Sequence, residues 1–150
     1  MTGALPALWR MRLLIYQGFA RTGAPPDLDA LADALGLAPD DALALLRELG
    51  ARHAVTLADD GRSVLMANPF SVVPTPFRVT ANGVACWASC AWDMLGVPAA
   101  LGADAEIHAT WAADGTPAEL RVEGGAVAGD DGIVHVLTPF RDWDADIRHT

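Results

Sequence analysis

The spacing of apolar residues over the first fifty positions is the feature that most restricts the fold of this chain. Between Asp27 and Gly36 the apolar residues recur at the i, i+3, i+4 and i+7 positions of an amphipathic helix, with Asp27 as candidate N-cap and Gly36 as candidate C-cap. Similar patterns over residues 5–20 and 39–50 predict one helix before this segment and one after it. A turn signal at residues 59–61 then separates two short strand-like segments and predicts a β-hairpin.

Three helices followed by a hairpin are typical of a winged helix-turn-helix, in which residues 39–50 would be the recognition helix for DNA. The charge of the chain argues against that function. From Asp27 to His53 there are six acidic residues and two arginines, and the whole chain has a net charge of −9. Because phosphate contacts dominate the affinity for DNA, we predict no nucleic acid partner and interpret residues 1–67 as a winged-helix-like structural subdomain.

A proline-rich connector at residues 68–77 introduces a second pattern, made mostly of short strands. An Asn-Gly turn at residues 82–83 predicts a hairpin, and a short helix is predicted from Cys90 to Gly96, with a turn at 98–102. Further strands are predicted at 106–111, 119–122 and 133–137, whereas 123–132 is loop-like. The chain is therefore predicted to be α+β with two domains, 1–67 and 68–150, the second built on a mixed β-sheet.

The two cysteines of the chain lie around the start of that predicted helix. Cys86 falls in the preceding strand, Cys90 opens the helix, and Asp93 follows one turn later. A helix N-terminus favours a thiolate, and residues three apart share a helix face, so the Cys90–Asp93 pair could bind a soft electrophile and move a proton. The alternative interpretation is that both cysteines are small core residues. Two cysteines at this spacing fall short of the four ligands of a structural zinc site.

The cellular setting is predicted from what the sequence lacks. No apolar run approaches 18 residues, and the N-terminus has neither the basic start nor the apolar core of a signal peptide. We therefore expect a cytoplasmic protein without a membrane partner, in a compartment where thiols stay reduced.

Several motifs make the chain resemble the organomercurial lyases (alkylmercury lyases). They are the Asn-Gly hairpin, the Trp-containing strand and the Cys-Ala-Trp-Asp sequence within residues 83–102, the Asn-Pro-Phe-Ser sequence at 68–71, and Pro139-Phe140 followed by Trp143. The resemblance implies protonolysis of a carbon–mercury bond, giving a hydrocarbon and Hg(II). Cys90 would bind mercury and Asp93 would handle the proton, in a dry pocket expected near Trp87, Trp92 and Met94.

The same resemblance implies the partners and a second thiol. The substrate would be a small organomercurial, cellular thiols would remove the product, and no cofactor would be needed because mercury is both substrate and product. A second mercury-binding cysteine would follow a segment similar to residues 144–150, but the sequence ends at Thr150, so it is either a fragment or a divergent member. Cys86 is the candidate replacement, although an extended strand would put it roughly 13 Å from Cys90 unless the chain turns sharply at 88–89.

Two other interpretations stay open beside the enzyme. The protein could be a non-catalytic or divergent relative, such as a winged-helix regulator that senses metal through Cys86 and Cys90. It could also be a plain structural or interaction domain. The last interpretation predicts that Cys90 is buried and inert to thiol reagents.

Overall fold

Three helices and a hairpin make up the first of two compact units, Met1–Ala67 and Asn68–Thr150. The structure, a computed structural model, describes residues 5–136 and 139. The elements of the first unit are α1 (Ala7–Thr22), α2 (Leu28–Leu35), α3 (Pro39–Ala51), β1 (Thr56–Leu57) and β2 (Val64–Ala67). Each of the three helices packs against the other two, and β1 and β2 pair in antiparallel fashion.

Local side-chain chemistry explains where these elements begin and end. The Asp27 carboxylate accepts a hydrogen bond from the Ala30 N–H at 2.8 Å, and Gly36 ends α2 in the left-handed conformation, as predicted. In the hairpin turn the Asp60 carboxylate accepts hydrogen bonds from the Arg62 and Ser63 N–H groups, which lower the pKa of Asp60. The helix predicted at 39–50 is one residue shorter than α3, which continues to Ala51.

A six-stranded sheet and one helix make up the described part of the second unit. The strands are β3 (Phe70–Ser71), β4 (Arg78–Ala81), β5 (Val84–Ala88), β6 (Ala105–Thr110), β7 (Pro117–Glu123) and β8 (Ala126–Gly129). Their spatial order is β3-β5-β4-β6-β7-β8. Between β5 and β6 the chain forms α4 (Ala91–Leu101), which packs on β4 and β5.

The predicted α+β class is confirmed, but the predicted mixed sheet is wrong. Each described strand pairing in this unit is antiparallel. The connections explain this result. Tight turns join β4 to β5, β6 to β7 and β7 to β8, and the crossover through α4 passes over β4 so that β6 pairs with β4 and not with β5.

The segment that follows β7 also differs from the prediction. Residues 123–132 were predicted to be a loop, yet Gly124 and Gly125, both with positive φ, form the tight turn between β7 and β8. The residues of β8 are all exposed, so this edge strand lacks the alternation of apolar and polar residues that identifies a strand.

The strand predicted at 133–137 is wrong over 133–136, and Ile133 is 91% exposed. Leu137 lies outside the described residues, as do Phe140, Trp143 and 144–150.

The helix α4 is longer than predicted. It continues through Pro98 and ends at Gly102, which adopts the left-handed conformation. A proline inside a helix removes one backbone hydrogen bond, here the one that the Met94 carbonyl would accept. Burial of Val97 and Pro98 against the sheet offsets that loss.

In the part of the chain that the structure describes, no helix is long and apolar enough to cross a membrane.

Candidate functional site

The junction between β5 and α4 brings Cys90 and Asp93 into contact. Cys90 is the N-cap residue of α4 and has extended backbone angles, φ −152° and ψ −179°. Asp93 lies in the first turn of the helix, three residues later. The Cys90 thiol donates a hydrogen bond from Sγ to Asp93 Oδ2, at 3.6 Å. The sequence-predicted pair therefore forms a single polar contact at the start of α4.

Burial and this contact determine the protonation of the pair. Burial raises the pKa of the Cys90 thiol, and the negative charge of Asp93 raises it further, whereas the backbone N–H groups of Asp93 and Trp92 oppose the shift. Burial also raises the pKa of Asp93, against the hydrogen bond from Cys90, which lowers it. The thiol is thus a protonated donor that points at a carboxylate with an increased tendency to accept a proton.

The alkylation of Cys90 tests this electrostatic arrangement. We expect iodoacetamide to modify Cys90 only at a more alkaline pH than an ordinary cysteine, because its pKa is raised. The variant Asp93→Asn is expected to move the midpoint of the pH–rate curve to lower pH, since it removes the carboxylate charge. Peptide mass mapping follows Cys90 separately from Cys86. A midpoint that stays unchanged or rises in Asp93→Asn contradicts the assignment.

The segment before the hairpin holds the junction in place. The Ser89 N–H donates to the Pro69 carbonyl at 3.1 Å, and the Ser89 hydroxyl donates to the Phe70 carbonyl at 3.2 Å. The Thr75 hydroxyl donates to the Ala88 carbonyl at 2.8 Å. The sequence pattern did not indicate the roles of the Thr75 and Ser89 hydroxyls, because their acceptors lie 13 and 19 residues away in the chain, respectively. They tie the proline-rich segment to the residues that immediately precede Cys90.

Cys86 occupies a different environment. It lies in β5 opposite Val79 of β4, and both residues are buried on the sheet face with the other buried residues of these strands. Burial raises the pKa of the Cys86 thiol, while the Arg78 charge lowers it. Both cysteines are free thiols, and the described residues contain no group of three or more histidine, cysteine or acidic side chains that could hold a metal ion. The assignment of Cys86 as a second mercury ligand stays a prediction.

Trp87 and Trp92 were expected to line a dry pocket around Cys90 and Asp93. In the part of the chain that the structure describes, they do not enclose these two residues. Trp92 is 63% exposed, so it does not enclose Asp93. Trp87 lies under the Arg78 guanidinium, 4.6 Å from its ring centre, and alternation along β5 points it away from the face that holds Cys86. Met94 is buried, as expected. Among the described residues, Trp92 is therefore an exposed aromatic side chain beside the Cys90–Asp93 pair.

Comparisons with known proteins relate this geometry to a family. A family model described as alkylmercury lyase (MerB) matches residues 70–149, which include Cys90 and Asp93. A solved structure described as the mercury-bound form of MerB2 matches with a TM-score of 0.65 and 25% sequence identity. That match covers 83% of this chain and 60% of the other, so the chain spans about three fifths of that relative. None of the curated proteins matches. Because the family model covers more than half of its residues, this chain belongs to the alkylmercury lyase family.

Proposed function

We propose that the protein is an organomercurial lyase, which cleaves a carbon–mercury bond by protonolysis and yields a hydrocarbon and Hg(II). The observation that carries the proposal is the 3.6 Å contact between Cys90 Sγ and Asp93 Oδ2, within the region that matches the alkylmercury lyase family. A thiol supplies the soft ligand that mercury prefers. A carboxyl group beside it supplies a site for the proton.

The direction of the hydrogen bond suggests how the first step proceeds. As Cys90 sulfur bonds to the mercury of R–Hg–X, the thiol proton passes to the Asp93 carboxylate and the ligand X leaves as an anion. Burial of Asp93, which raises its pKa, stabilises the carboxylic acid that this transfer forms. The products of the step are a Cys90–S–Hg–R adduct and a protonated Asp93.

The second step uses that proton. Asp93 delivers it to the carbon bound to mercury, the electron pair of the carbon–mercury bond forms the new carbon–hydrogen bond, and R–H leaves. Asp93 returns to the carboxylate, and Hg(II) stays on Cys90 until cellular thiols remove it. A further thiolate on the mercury would assist the cleavage, and Cys86 is the candidate within this sequence. Mercury is substrate and product here, so no resident cofactor takes part.

The finer predictions about architecture and partners belong to the same proposal. We take residues 1–67 as a winged-helix-like domain with a structural role and residues 68–150 as the domain that carries the chemistry. The predicted partners are a small organomercurial and cellular thiols. The net charge of −9 supports the absence of a nucleic acid partner.

Benzene release from phenylmercury tests the proposal directly. The protein is incubated with phenylmercury and excess small thiol, and the headspace is analysed by gas chromatography. We expect benzene in amounts that exceed one equivalent per protein and keep pace with Hg(II)–thiol formation. A mixture without protein gives the background rate. Tight phenylmercury binding without benzene contradicts lyase activity and favours the non-catalytic or metal-sensing alternative.

A further inference from the structure

A glycine at the centre of α4 is the starting observation. Gly96 lies three residues after Asp93 on the same helix face. Glycine is less favourable than alanine inside a helix, so its presence here needs a reason. A methyl group on Gly96 Cα would lie 3.1 Å from Pro69 Cβ and 3.7 Å from Asp93 Oδ1. Because Gly96 has no side chain, Pro69 can lie against the helix beside the Asp93 carboxylate.

Pro69 connects this space to the other half of the reactive pair. Its ring lies over Gly96, while its carbonyl accepts the Ser89 N–H at 3.1 Å. Ser89 precedes Cys90 directly and is held a second time by its hydroxyl bond to the Phe70 carbonyl. A displacement of Pro69 away from α4 would accordingly be transmitted to the residue that carries the thiol.

Building on the proposed function, we propose that Gly96 is a positioning residue for the reaction. Its lack of a side chain sets how closely Pro69 approaches α4, and this approach holds the Cys90 sulfur and the Asp93 carboxyl at the separation that proton transfer requires. Gly96 does not touch the mercury or the reacting carbon in this assignment. Its effect is on the geometry of the two groups that do.

The variant Gly96→Ala tests the proposal. The added methyl requires Pro69 to move by a few tenths of an ångström, since 3.1 Å is tighter than ordinary contacts of a Cβ atom. Misplacement of reacting groups by 1 Å can lower rates about 100-fold, so we expect kcat for benzene release to fall about 10-fold. The KM for phenylmercury and the one-to-one uptake of phenylmercury by Cys90 should stay unchanged. The thermal midpoint should change little, because the helix preference for alanine opposes the cost of displacing Pro69.

Two further variants separate positioning from general damage. Gly50→Ala is the matched control, since Gly50 is a glycine inside α3 whose added methyl would meet the Leu57 side chain, at 2.9 Å from Cδ1 and 3.2 Å from Cγ. It should retain the parent kcat. Ser89→Ala removes the hydroxyl bond to Phe70 and should lower kcat with the same unchanged KM, whereas Ser89→Thr, which keeps the hydroxyl, should restore the rate.

The outcomes distinguish this inference from the function on which it rests. A parent protein that releases no benzene overturns the proposed function. A Gly96→Ala variant that turns over at the parent rate overturns the positioning role and leaves the function intact. A crystal structure of Gly96→Ala supplies a readout independent of turnover. A Cys90 Sγ–Asp93 Oδ2 distance longer than 3.6 Å supports the inference, and an unchanged distance contradicts it.

Discussion

Replacing Asp93 with asparagine is expected to lower benzene release strongly, while Cys90 still takes up phenylmercury because its thiol, no longer beside a carboxylate charge, loses its proton to solvent. Asparagine keeps the size of the side chain but cannot accept the thiol proton and pass it to carbon. General acid catalysis contributes about 10²- to 10⁴-fold to reaction rates, so we expect kcat to fall by about that factor. Quantifying benzene by gas chromatography and bound mercury by mass spectrometry of the intact protein measures the two steps separately.

A matched control for this variant is Asp114→Asn. Asp114 also belongs to the second unit, but it is exposed, and its carboxylate accepts hydrogen bonds from the Thr116 N–H and hydroxyl within its own turn. It should turn over phenylmercury at the parent rate. Normal benzene release by Asp93→Asn would mean that the proton reaches carbon from another donor, and the proposed role of Asp93 would be wrong.

Replacing Cys90 with serine is expected to remove both mercury uptake and benzene release. A serine hydroxyl has nearly the shape of the thiol but is a hard oxygen donor, which mercury binds poorly in comparison with sulfur. Serine is also a preferred N-cap residue, so α4 should remain intact and circular dichroism should match the parent. We expect no adduct in the mass spectrum at one equivalent of phenylmercury with excess small thiol, and benzene at the background rate.

The corresponding change at Cys86 separates its two candidate roles. If Cys86 is a core residue, Cys86→Ala should lower the free energy of unfolding by about 1 kcal/mol and retain turnover. If Cys86 is a second ligand to the same mercury atom, turnover should fall while phenylmercury still binds at Cys90. A Cys90→Ser protein that still releases benzene would instead contradict the assignment of Cys90 as nucleophile.

Sequence reasoning succeeded where the cause of a structure lies within a few residues. The Asp27 cap and the Gly36 end of α2 depend on neighbours in the chain, and so does the Asn82-Gly83 hairpin, whose two turn residues both have positive φ. The contact between Cys90 and Asp93 belongs to this group because one helical turn brings them together. Such features could be predicted from the spacing of residues alone.

Sequence reasoning failed where a structural feature depends on residues that are far apart in the chain. The continuation of α4 through Pro98 depends on burial against the sheet, and the exposure of Trp92 depends on which helix face the sheet covers. The hydrogen bond from Ser89 to Phe70 joins residues 19 positions apart, and no short pattern predicts it. The Gly96–Pro69 contact is of the same kind, which explains why the sequence indicated Gly96 only as the end of a short helix.

The location of the thiol and the acid on one turn of α4 has a consequence for the dynamics of the site. A rigid shift of α4 as a whole moves both groups together, whereas a displacement of Ser89, which is bonded to Pro69 and Phe70, moves Cys90 relative to Asp93. Shifts of the whole helix change how far the helix start opens to solvent, where Trp92 already projects. In the proposed reaction, access to the pair and the separation within it would therefore depend on different contacts of α4.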